Sequence, residues 1–202
     1  MNRNFNKISP DFSISSKTPQ RWLGIRGENF NLYFLEKPKS RRKSGLNYLI
    51  QASPDYAIDE AEGKVGFGLY LRDQLLARLL NPRDFYKFLE DQGIDWKSKV
   101  SKKLLPDDAL FIIVPDVLFI IEIKYHQGQG STDEKLQTCD YKKKKYQMLV
   151  RSLELKVEYV YVLSEWFKKP RYKDVLDYVE SVGCHYKFGS LPLAWLGLPN
   201  PA

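Results

Sequence analysis

Apolar positions fall into blocks whose spacing changes along the chain. Leu69, Leu71, Leu75, Leu76, Leu79 and Leu80 recur at three- and four-residue steps, which predicts helix over 64–92, interrupted at Pro82 and resumed through Phe85, Phe88 and Leu89 to Gly93. Two runs follow, 104–114 and 117–124, apolar at odd and even positions alike, as in strands buried on both faces of a sheet. The Pro115-Asp116 pair between them reads as the turn of a tight hairpin, with Asp116 a turn residue. Ser131 and Glu134 make a capping box, predicting a helix over 131–153 through Leu136, Met148 and Leu149. A strand over 157–163, a helix over 172–182 and a strand at 185–188 come next, and the apolar tail 192–199 is expected to pack down. This order predicts an α/β fold: a mixed central β-sheet flanked by helices. Before it, Trp22, Leu23, Ile25, Phe30, Leu32, Tyr33, Phe34 and Leu35 suggest short strands around Gly24 and Gly27, so residues 1–63 are read as an N-terminal embellishment of a core spanning 64–202.

Composition narrows the class. The 202 residues are 43% hydrophobic and 28% charged, enough for one globular core. No run reaches the ~18 apolar residues that span a bilayer, and the first residues lack a signal-peptide apolar stretch. Cys139 and Cys184 form no disulfide framework or metal-ligand spacing, so the expectation is a cytoplasmic protein with no membrane partner. The net charge of +7 makes a polyanion a plausible partner.

Chemistry enters at the end of the second apolar run. Glu122 and Lys124 are charges in an otherwise apolar strand, where burial is costly unless they are paired or bind a metal, and a spacing of two puts them on one face. With the hairpin's midpoint at Val114–Pro115, Asp107 falls opposite Glu122, with Cβ atoms ~5 Å apart. A register one residue away brings Asp108 there instead. Asp116, six residues from Glu122 along an extended strand, would lie ~20 Å off and share no ligand with it. Two carboxylates in a half-buried site call for a hard cation with open positions, Mg²⁺ with Mn²⁺ as a substitute, and no organic cofactor. A lysine beside it orients or deprotonates water, or stabilises the transition state. The bland alternative is a structural Glu122–Lys124 ion pair.

Pro106-Asp107, a spacer, and Glu122-Ile123-Lys124 resemble the signature of the PD-(D/E)XK nuclease superfamily, the fold of most type II restriction endonucleases. The resemblance covers about 64–188, with the motif on a hairpin after a helix and before helix, strand and helix. It implies a restriction-endonuclease-like core and Mg²⁺-dependent hydrolysis of DNA phosphodiester bonds. Asp107, Glu122 and the Ile123 carbonyl would hold the metal and Lys124 would serve the attacking water. Gln137 and Tyr141 have the Gln-x-x-x-Tyr spacing of some branches, which implies a catalytic role for Gln137 on one helix face with Tyr141. Many members add a helix glutamate upstream, for which Glu60, Glu62 and Glu90 are available.

For DNA contacts the candidates are Arg41, Arg42 and Lys43 on a loop, and Lys144 and Lys145 of the run 142–145, whose four lysines fan around a helix. His126 and His185 are isolated and read as structural. A homodimer is expected if a palindrome is cut on both strands. Three alternatives stay open: a structure-specific nuclease on the same fold (a Holliday-junction resolvase, repair nickase or RNase), a catalytically silent DNA-binding module, or an unrelated basic α/β protein.

Overall fold

The structure, a computed structural model, describes residues 31–34, 48–50, 56–60, 65–106, 108–112, 116–124 and 132–199. Its strands are β1 (Asn31–Phe34), β2 (Tyr48–Ile50), β3 (Tyr56–Glu60), β4 (Phe67–Leu71), β5 (Gln74–Leu80), β6 (Asp108–Ile112), β7 (Val117–Lys124), β8 (Lys156–Leu163), β9 (His185–Phe188) and β10 (Ser190–Pro192). Its α-helices are α1 (Pro82–Asp91), α2 (Thr132–Leu136), α3 (Cys139–Val150) and α4 (Lys173–Ser181). Strands β3 to β9 form one seven-stranded sheet in sequence order, antiparallel from β3 to β7 and parallel from β7 to β9. A small antiparallel sheet has the order β10-β1-β2. The fold is therefore α/β with a mixed sheet.

The central hairpin pairs as its apolar runs suggest. Backbone pairs run from Asp108 with Ile121 to Ile112 with Val117, the register drawn from a midpoint at Val114–Pro115, residues that lie outside those described. Asp116 is an exposed turn residue with φ 63°, and its carbonyl accepts from the Lys156 amide at 3.1 Å, which ties the start of β7 to the start of β8. In β7, Leu118, Phe119, Ile120, Ile121 and Glu122 are all buried, because the sheet is covered on both faces.

The helix expected over 64–92 is corrected. Residues 67–80 form the β4–β5 hairpin, turning at Arg72 and Asp73, both with positive φ (47° and 68°). That is the twist a two-residue hairpin loop needs, supplied without the glycine that usually marks it. Pro82 does not interrupt a helix but begins one. The Asn81 side chain accepts from the Arg83 and Asp84 amides, both at 2.9 Å, and Pro82 occupies the first turn, where a missing N–H costs nothing.

The helix expected over 131–153 is also divided. α2 ends at Leu136, residues 137–138 turn, and α3 begins at Cys139. The Tyr161 hydroxyl lies 3.2 and 3.3 Å from the Lys135 and Leu136 carbonyl oxygens, and the Thr138 hydroxyl donates to Lys135 at 2.9 Å. Carbonyls that would continue the helix ladder thus meet side chains instead.

Helices cover one face of the sheet. Phe85, Tyr86 and Leu89 of α1, Leu136 of α2, Cys139, Tyr146 and Leu149 of α3, and Val175, Leu176 and Val179 of α4 join Leu118, Ile120, Tyr159 and Tyr161 in one buried cluster. On the other face, Phe119, Ile121, Val160 and Val162 pack against Leu191, Leu193, Leu196 and Leu198 of the tail. Helices flank the sheet on one side only among the described residues, and the C-terminal segment supplies the second layer. The boundary drawn at 63 falls between β3 and β4, which are hydrogen-bonded neighbours, and β1 pairs with β10 from the tail.

Candidate functional site

The odd and even positions of β7 go to different layers. Phe119 and Ile121 enter the tail-side cluster, and Leu118 and Ile120 the helix-side one. By the same alternation Glu122 and Lys124 share the helix side with Leu118 and Ile120. Glu122 is 4% exposed, the one charged residue buried among those described.

Its carboxylate is doubly engaged. Lys124 Nζ donates to Oε2 at 2.6 Å, and Lys142 Nζ donates to Oε1 at 3.0 Å. Burying a carboxylate costs several kcal/mol unless its charge is met, and here each oxygen faces an ammonium. The lysines are less buried, with side chains 20% and 27% exposed against 5% for Glu122. The group is a Lys–Glu–Lys triad with one net positive charge, closed on the core side and opening outward through its lysines.

Lys142 is the residue that sequence reasoning missed. The sequence reads it as one of four lysines fanning over a solvated helix, yet in the structure the four have separate fates. Lys142 reaches Glu122. Lys143 Nζ lies 3.4 Å from Glu158 and donates to the Gly183 carbonyl at 2.6 Å. Lys144 pairs with Asp140 at 2.8 Å on the surface, and Lys145 lies over the Tyr141 ring, 5.6 Å from its centroid. A signal was present: the buried positions of α3 are Cys139, Tyr146, Leu149 and Val150, and the helical stripe through them passes Lys142.

Two tyrosines from β8 lie beneath the triad's face. Tyr159 and Tyr161 are fully buried, their rings edge-to-face at 5.4 Å. Burial and then the Glu122 charge push the Tyr159 hydroxyl well above the usual phenol range. Tyr161 is raised too, first by burial, with the Glu122 charge adding. Both stay neutral. The Tyr159 hydroxyl is buried without a hydrogen-bond partner of good geometry among the described residues.

The remaining expected site residues divide as follows. Asp107 lies outside the described residues. Asp108, its rival, pairs in the backbone register with Ile121 and not with Glu122. Ile123 is half-buried in β7, beside Val162 of β8. Gln137 is not on a helix face with Tyr141: it is exposed in the turn between α2 and α3, and Tyr141 is 60% exposed. Glu90, an upstream candidate, is exposed and accepts from Trp96 Nε1 at 2.9 Å. The side chain of Glu60 and all of Glu62, Arg41, Arg42, Lys43 and His126 lie outside the described residues. His185 sits 3.1 Å from Glu158 and edge-on to Trp195, a structural setting.

Among the described residues, no three His, Cys, Asp or Glu side chains gather where they could hold a metal ion. A carboxylate oxygen is the hard donor that a divalent cation takes, but both Glu122 oxygens already accept from ammoniums. A cation entering there competes with the two ammoniums for those oxygens.

No helix among the described residues is long and apolar enough to cross a membrane. Comparisons with known protein families, with curated proteins and with solved structures each returned no match.

Proposed function

We propose that this protein is a metal-dependent nuclease with a restriction-endonuclease-like core, hydrolysing DNA phosphodiester bonds at the outer end of β7. The observation that carries the reading is a nearly buried Glu122 with Lys124 on the same strand face, 2.6 Å away, where the sheet would otherwise be apolar. The order of elements supports it: α1, the β6–β7 hairpin, α2 and α3, β8, then α4.

Glu122 and the Ile123 carbonyl, with Asp107 assigned from the sequence argument, would hold the cation. A bound divalent cation of the Mg²⁺ class supplies Lewis acidity and neutralises charge on the phosphoryl oxygens. The protein's own groups do the rest. Lys124 orients the attacking water and offsets charge as the phosphorus becomes five-coordinate. Lys142 holds Glu122 in one rotamer through Oε1 and keeps the site positive toward an approaching phosphodiester. The buried tyrosines exclude water from the core side. A symmetric dimer follows only if both strands of a palindrome are cut.

A second reading has its own support. Both Glu122 oxygens already meet lysines, which is what a structural ion triad or a catalytically silent binding module would show. One assay separates these. Purified protein is incubated with Mg²⁺ and supercoiled plasmid, linear duplex, branched DNA, single strands or RNA. Discrete plasmid fragments identify a restriction enzyme, and cleavage confined to branched DNA a junction nuclease. Glu122→Ala and Lys124→Ala are expected to lower the rate by about 10²-fold or more. Binding with no cleavage of any substrate supports the silent module and contradicts the nuclease.

A further inference from the structure

The parallel strands β7 and β8 end side by side, Lys124 opposite Leu163, and the Ser164 amide donates to the Lys124 carbonyl at 3.2 Å. The chain between β8 and α4 therefore leaves the sheet next to Lys124, at the end of the strands that carries Glu122. In sheets with parallel strands, ligands gather at that carboxyl end.

This connection is firmly anchored. It makes two short 3-10 turns, Glu165–Lys168 and Pro170–Tyr172. Phe167 and Tyr172 are buried with ring centroids 5.0 Å apart. The Tyr172 hydroxyl accepts from Trp166 Nε1 and from Arg171 Nη2, each at 2.8 Å. Against that base Lys168, Lys169 and Arg171 are all exposed.

The charges of this loop differ from those of α3. There Lys142, Lys143 and Lys144 each have a carboxylate partner, and Lys145 alone lies over a ring, that of Tyr141. In the loop only Lys168 has one among the described residues, Glu165 at 2.7 Å, and that pair is exposed on both sides. Lys169 lies over the Trp166 ring at 3.1 Å, and the Arg171 guanidinium over the Tyr172 ring at 4.7 Å from the centroids. An aromatic face holds a cation in place without cancelling its charge. With Trp166 covered by a lysine, the loop offers fixed positive charge and not a stacking platform for a base. Fixed cations without carboxylates suit phosphate, and phosphate contacts set the register of a nucleic acid strand without reading its sequence.

We propose that the 164–172 loop, through Lys169 and Arg171, is a docking surface for the phosphate backbone of the nucleic acid, holding the strand so that its reactive phosphate reaches Glu122 and Lys124. This rests on the nuclease reading and adds the surface that presents the substrate.

The test is equilibrium binding of a fluorescein-labelled DNA duplex to the full chain in EDTA, where cleavage is suppressed, across a salt series. Lys169→Ala with Arg171→Ala is compared with wild type, and with a control that removes the same charge from exposed positions elsewhere, Lys87→Ala with Lys97→Ala. Thermal unfolding of each variant confirms folding. The loop variant is expected to bind at least about tenfold more weakly, its log Kd–log salt slope falling by about two, since each lost phosphate contact removes ~0.9. The control keeps nearly the wild-type slope. Equal losses in both variants, or no loss in the loop variant, overturn the docking surface and leave the nuclease reading standing. Absence of DNA binding by the wild type overturns both. Tighter wild-type binding of an RNA duplex, lost in the same variant, keeps the docking surface and overturns DNA as the substrate.

Discussion

Glu122 stands in the sheet interior at 4% exposure with both oxygens accepting from ammoniums, so its charge is tolerable only while those partners remain. Lys142→Met leaves the carboxylate with Lys124 as its one ammonium among the described residues and removes an ammonium whose side chain is 27% exposed. The expected cost is about 1–3 kcal/mol, below the full penalty for a completely buried pair because water reaches the lysine. In a double-mutant cycle with Glu122→Gln, followed by urea denaturation, the coupling is expected to exceed about 0.5 kcal/mol. Additive losses would contradict a direct Glu122–Lys142 interaction. At this scale the sequence revealed Glu122 and Lys124, because a charge in a wholly apolar strand announces its own cost. It hid Lys142, because a run of four lysines reads as solvated until the buried stripe of α3 is known.

Single side chains decide how elements begin. α1 starts at Asn81, whose side chain accepts two backbone amides at 2.9 Å. Asn81→Ala is expected to cost about 1 kcal/mol in a thermal or urea unfolding measurement, and Asn81→Gly only a few tenths. At the start of β8, Glu158 meets Lys156 at 2.6 Å, His185 at 3.1 Å and Lys143 at 3.4 Å. Burial would raise this carboxyl, but the Lys156, Lys143 and His185 contacts outweigh it and hold the group below its ordinary value. A carboxyl lowered in the folded state takes up protons on unfolding. Its contribution is thus full above the unfolded value of about 4.3 and is lost as pH falls through the folded one. Glu158→Gln is expected to flatten the acid limb of the stability–pH curve and leave its shape above pH ~6 unchanged; an unaltered acid limb would contradict the cluster. The elements themselves were unequally legible. β7 and β8 were readable because their runs of β-branched and aromatic residues suit a buried strand. The β4–β5 hairpin was not, because its leucines satisfy a helical period as well as an alternating one, and Arg72-Asp73 is no usual turn signal. At the break between α2 and α3 the local Thr138 hydroxyl is joined by that of Tyr161, more than twenty residues away, which no local pattern encodes.

At the scale of the whole molecule, the seven-stranded sheet carries, among the described residues, helices on one face and the C-terminal tail on the other. That layering buries Glu122 from within and leaves the carboxyl ends of β7 and β8 as the edge where Lys124 and the 164–172 loop converge. The α/β class was legible from the order of apolar blocks, whereas the second layer was not, because the tail's apolar residues do not say which face they cover. The most direct measurement of the central claim is the single-turnover rate of DNA cleavage in Mg²⁺, with and without EDTA, for the wild type and Glu122→Gln. Cleavage that requires Mg²⁺ and falls by about 10²-fold or more in the variant is the predicted result. Cleavage that persists in EDTA, or that Glu122→Gln leaves unchanged, would contradict it.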